Sequence, residues 1–126
     1  MTADMNPELQ NKLMQFQQIQ QQVQMIAQQK YQVDMQITEL DKTIDELDSL
    51  KKGAEIYKSV GTILVKKDDK KALKEELKDK KETLEVRIKS LNNQEKTLRE
   101  MHQKLQEELT KEFQRQTDDH FVIGQI

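Results

Sequence analysis

Apolar side chains recur at alternating steps of three and four through the first third of the chain. Phe16, Ile19, Val23, Ile26, Val33, Ile37, Leu40, Ile44 and Leu47 hold that rhythm, with Lys30 as the single polar member. Such spacing keeps one narrow stripe on one side of an α-helix and is the seam of a coiled coil. A charge inside a seam costs stability and can fix register. A second series, Leu77, Leu84, Leu91, Leu98 and Leu105, repeats every seven residues. Its alternate positions are mixed: Lys81, Ile88, Glu95, His102 and Leu109. Asn6-Pro7-Glu8 reads as a helix start, with Asn6 as cap and Pro7 in the first helical position. Gly53 suits the residue just after a last turn, and Asp68 or Asp69 a second start. These signals predict one helix over residues 7–52 and another over 69–113, each roughly 65–70 Å long at ~1.5 Å per residue. Residues 114–126 read as a tail, ordered or disordered.

The two series mirror each other about a midpoint between Val60 and Gly61. Ile44 and Leu77 lie equally far from it, as do Ile37 and Leu84, Val23 and Leu98, and Phe16 and Leu105. A chain that doubles back there sets one seam against the other along the whole length. An intrachain antiparallel coiled coil is therefore expected, and its register puts Lys30 within a turn of Glu95 as an ion pair. The free ends of both helices then come together at one tip.

Between the helices lies EIYKSVGTILVKKD, rich in β-branched residues and centred near Gly61. It predicts two strands over residues 55–66 with a tight turn at Gly61. A lone hairpin is marginal in water. Two thin helices leading away cannot cover Ile56, Tyr57, Val60, Ile63, Leu64 and Val65. Hairpins from several chains are expected to pair edge to edge and close into a shared sheet or barrel, burying that apolar surface.

Composition narrows the chemistry. Of 126 residues, 34% are hydrophobic and 35% charged, too thin an interior for a compact globule of this length. The absence of cysteine excludes disulfides, thiolate metal sites and a cysteine nucleophile. Interleaved charges summing to −2 give no electrostatic footprint for nucleic acid or an anionic membrane. The lysine-rich stretch before the leucine heptads superficially suggests a basic zipper, but five acids interrupt it between Lys66 and Lys81. No apolar run can cross a bilayer, no secretory signal is visible, and a cytoplasmic location is expected. His102 reads as a seam residue, and His120 beside Asp118 and Asp119 as too sparse for a metal site. There is no phosphate loop, zinc spacing or nucleophile–base pair, so no cofactor and no enzymatic activity are expected.

Three segments together carry a family resemblance: FQQIQQQVQMIAQQK (residues 16–30), the hairpin string, and ETLEVRIKSLNNQEKTLRE (residues 82–100). The chain resembles the beta-class subunits of prefoldin from about Leu9 to Phe113, and the single hairpin sets it apart from the two-hairpin alpha class. The resemblance implies an all-α fold with a small β element: a long antiparallel two-helix coiled coil whose central hairpin joins an intersubunit β-barrel. It implies a hexamer with alpha-class subunits and further copies of this chain. It also implies an ATP-independent chaperone that holds unfolded clients between coil tips and passes them to a group II chaperonin.

Client contact is expected where apolar residues remain after the seam is filled. Leu9, Leu13 and Met14 near the N-terminus, and Leu109 and Phe113 near the C-terminus, are the candidates. Leu13 and Met14 fall outside the seam, so at least one should face solvent. Met1, Met5, Phe121, Val122, Ile123 and Ile126 add apolar character at the same end. The competing expectation is a coiled-coil scaffold that oligomerises through its hairpin and holds no clients.

Overall fold

The computed structural model describes residues 6–125, with side chains through residue 115. Element order is α1 (Pro7–Ser49), β1 (Ile56–Val60), β2 (Ile63–Lys67) and α2 (Lys70–Gln125). The chain divides into two compact units: a terminal unit, up to Gln29 and from Leu91 onward, and a hairpin unit, Lys30–Ser90.

The starts of both helices are capped by side chains. The Leu9 amide donates to Asn6 Oδ1 at 2.7 Å, and the Ala72 amide to Asp69 Oδ1 at 3.0 Å. Each cap satisfies one of the donors that a helix start leaves without a partner.

Two boundaries differ from the sequence expectation. α1 stops at Ser49, three residues before the expected end at Lys52. Gly53 (φ +88°) does not terminate it; it sits third in a separate turn closed by the Ala54 amide on the Lys51 carbonyl at 3.1 Å. The need for a left-handed glycine was legible, but it serves a β-turn, whose third position in type II geometry demands positive φ. α2 continues to Gln125, so residues 114–125 extend the helix and there is no boundary at Phe113. No proline or glycine interrupts that stretch before Gly124, and extending an existing helix costs far less than starting one.

In the terminal unit the buried apolar residues are Leu9, Ile19, Leu91 and Leu109. Phe16 stacks on His102 with ring centroids 4.3 Å apart, and Lys12 reaches Glu108 across the pair at 3.9 Å. In the hairpin unit the buried residues are Val33, Ile44, Leu47 and Leu73. Here Asp41 pairs with Lys81 at 2.5 Å, and Asp48 pairs with Lys74. Asp41 and Asp48 are seven apart on α1, and their partners are seven apart in the opposite sense on α2, the signature of antiparallel register. Leu73 lies one turn before Leu77 and off the seven-residue series, which is why the leucine repeat did not reveal it.

Candidate functional site

The hairpin turns on Gly61 (φ +60°), and Thr62 follows with negative φ. Those signs define a type II′ turn, whose twist matches that of the flanking strands and whose first central position favours glycine. The strands pair antiparallel with Val60 opposite Ile63, Lys58 opposite Val65 and Ile56 opposite Lys67. Alternation along a strand therefore puts Ile56, Val60, Ile63 and Val65 on one face, with Lys58 and Lys67, and Tyr57 and Leu64 on the other.

Within this chain the apolar side chains of the hairpin are largely uncovered. Ile63 is 60% and Leu64 71% exposed; Tyr57, Val60 and Val65 are exposed as well, and Ile56 alone is half-buried. Lys58 fastens the sheet to α2 by donating to Glu76 Oε1 at 2.6 Å. That hydrogen bond, reinforced by the lysine charge, holds the Glu76 carboxyl below the usual carboxylate range. On the opposite face the Tyr57 hydroxyl donates to Glu55 at 2.9 Å, and Lys66 lies 3.8 Å from the same carboxylate. A two-stranded sheet with apolar residues bare on both faces is suited to pairing with other chains through its edges.

The terminal unit separates the apolar candidates into two groups. Leu9 is 1% exposed and Leu109 6%, so both pack inside the helix pair. Met14 (58%) and Phe113 (43%) face solvent, and Leu13 is half-buried. The sequence held the signal for Leu9: carrying the three–four alternation back from Phe16 passes Lys12 and then Leu9. Leu109 already lay on the alternate positions of the second seam. Lys12 lies beside Glu8 at 3.6 Å as well as Glu108, forming a small charged bridge over this packing. Glu95 is half-buried and pairs with Arg99 on its own helix at 3.7 Å. Met1, Met5 and Ile126 lie outside the described residues, and so do the side chains of Asp118, Asp119, His120, Phe121, Val122 and Ile123.

Among the described residues, no group of His, Asp or Glu could hold a metal ion, and no helix is long and apolar enough to cross a membrane.

Two long helices joined by a single short hairpin, apolar at its surface, define a coiled-coil protein with an exposed central hairpin. The family model for the prefoldin subunit matches residues 10–116, and the chain belongs to that family. It is similar to the prefoldin beta subunit from Thermococcus strain KS-1, known from a crystal structure. The match has 42% identity and a TM-score of 0.78, over 86% of this chain and 94% of that one. The beta2 subunit from the same strain shares the fold at 22% identity and a TM-score of 0.66, over 73% of this chain and 97% of that one. No curated protein matches the chain. The family and these neighbours place the chain in the beta class. Prefoldin is a family of non-enzymatic chaperone subunits that assemble with one another, and joining hairpins into a barrel is a property of the family.

Proposed function

We propose that this chain serves in an ATP-independent holding chaperone, binding unfolded or nascent polypeptides at the apolar ends of its coiled coil and delivering them to a group II chaperonin in the cytoplasm. The observation that carries the reading is the exposure of Met14 and Phe113 beside half-buried Leu13 in the terminal unit. Methionine is flexible and polarizable and suits contact with many unrelated apolar segments. Each such contact contributes about 1–2 kcal/mol by area, so one pair of ends binds weakly. Several around one client add avidity through effective concentration. Weak individual contacts also let clients leave without fuel. Leu9 and Leu109 are buried and become client contacts only if the helix ends splay.

Assembly is assigned to Ile56, Tyr57, Val60, Gly61, Ile63, Leu64 and Val65, through pairing with an alpha-class subunit and with further copies of this chain. The burial of Leu9 and Leu109 favours the second reading, a scaffold that assembles and holds nothing. Light scattering of a chemically denatured model protein separates the two. The assembled complex should suppress aggregation at stoichiometric level without ATP, and Met14→Ser with Phe113→Ser should abolish most of that effect. A complex that leaves scattering unchanged is a scaffold.

A further inference from the structure

One side of the terminal unit carries a groove between the helices whose upper part is neither charged nor simply apolar. Its upper part is an open recess of about 540 Å³. Half-buried Ile26 and Leu98 line it together with exposed Met25, and the carboxamides of Gln22, Gln29 and Asn93 stand along it. Through Gln22 it continues into a lower part reaching Gln15 and Gln18, past exposed Met101, half-buried Leu105 and the charged Lys104 and Glu108 of α2. No charged residue lines the upper part.

This neutrality is not imposed by the chain's composition. α1 has no charged residue from Leu13 to Gln29, whereas α2 between Glu95 and Glu108 carries Glu95, Lys96, Arg99, Glu100, Lys104, Glu107 and Glu108. A solvated coiled-coil exterior gains solubility from charge, and the rest of the protein uses it. One helix has given it up along this groove.

We infer that the groove is a sequence-independent track for the backbone of an extended, unfolded polypeptide, with the carboxamides of Gln22, Gln29 and Asn93 exchanging hydrogen bonds with client peptide groups. The inference rests on the client-holding reading above and names how that client is recognised. A carboxamide both donates and accepts, as does each peptide unit of an unpaired strand. Side chains of a client can vary freely while its backbone offers the same pattern. Met25 and Met101 adapt to whatever apolar groups accompany it. The uncharged upper part and α1 wall also avoid selecting clients by the sign of their charge.

The geometry suits a short segment. From Gln15 to Gln29 the groove runs about 21 Å along the helix, the span of roughly six residues of extended chain. A third helix is the rival occupant. Its backbone is satisfied internally, so it would bury these carboxamides against apolar side chains and leave them unpaired, at the cost such groups carry.

The test uses the assembled complex and an uncharged apolar peptide of about eight residues, fluorescein-labelled, alongside the same peptide with alternate backbone nitrogens methylated. Anisotropy should show the methylated peptide binding roughly tenfold more weakly, the size of two modest hydrogen bonds. Gln22→Met with Gln29→Met keeps side-chain length and helix propensity while removing the amides. That variant should weaken the natural peptide about tenfold and erase its advantage over the methylated one, with helical circular dichroism unchanged. The inference is overturned if the variant binds as tightly or more tightly, if methylation makes no difference, or if a stapled helical peptide competes better than the extended one. Should Met14→Ser with Phe113→Ser still abolish holding in that case, the track alone fails and the client-holding reading stands. If neither pair of substitutions affects holding, both fail.

Discussion

The terminal and hairpin units are each an antiparallel helix pair, yet they differ in how α1 carries charge. In the hairpin unit ion pairs cross between the elements: Asp41 with Lys81 and Asp48 with Lys74 between the helices, and Lys58 of the hairpin with Glu76 of α2. Its exposed apolar groups are densest on the hairpin, with Tyr31, Met35, Leu50 and Val86 exposed outside it. In the terminal unit a Phe16–His102 stack and the Lys12–Glu108 contact link the helices, and one helix is uncharged for seventeen residues, Leu13 to Gln29. The difference shows that a heptad seam decides only that two helices meet. The flanking and outward positions decide how much charge each pair presents to other proteins.

The largest expected effect breaks the hairpin's part in this division. Ile63→Asp with Val65→Asp places two charges where the proposed assembly buries apolar surface. The complex should fall to smaller species by native mass spectrometry, with helical circular dichroism largely kept. A variant that retains the full mass contradicts assembly through the hairpin.

A second contrast lies inside the terminal unit. Leu9→Ala or Leu109→Ala should lower unfolding stability by about 2–4 kcal/mol, as expected for deleting a buried leucine. Met14→Ser should change it by less than ~0.5 kcal/mol while reducing client holding. Denaturant melts paired with the scattering assay would reverse the assignment if the Met14 variant proved the less stable one.

The ion pairs of the hairpin unit give a smaller, pH-dependent effect. The Lys58 hydrogen bond lowers the Glu76 pKa, and the Lys74 hydrogen bond lowers that of Asp48. Their contribution is present above the ordinary carboxylate range and disappears as pH falls through the depressed folded values. Lys81 is raised, first by its hydrogen bond to Asp41. Its contribution is present below the ordinary lysine value and disappears as pH rises through the elevated one. Urea melts across pH should therefore show a plateau flanked by an acid and an alkaline decline, both shallow because the groups are solvated. Lys81→Met should flatten the alkaline limb alone.

The smallest effect concerns the aromatic stack. A double-mutant cycle on Phe16→Leu and His102→Leu should yield a coupling of about 0.5–1 kcal/mol. No coupling would mean that the stack adds nothing beyond the area it buries.

Sequence spacing alone determined the two helices, their antiparallel register and the hairpin with its turn at Gly61. These are periodic or local properties: a stripe every 3.5 residues, a cap at Asn6 and another at Asp68 or Asp69, and a glycine where φ must be positive. Tertiary structure decided what became of individual apolar residues. Leu9, Leu13, Met14, Leu109 and Phe113 are all apolar residues near helix ends, but about 140° around the helix separates Leu9 at 1% exposure from Met14 at 58%. Gly53 serves a turn rather than a helix end, because capping depends on where the preceding carbonyls point. The groove past Met25 could not be read from either helix by itself. Its lining comes from segments more than sixty residues apart in the chain, and a concave surface exists only once both are folded together.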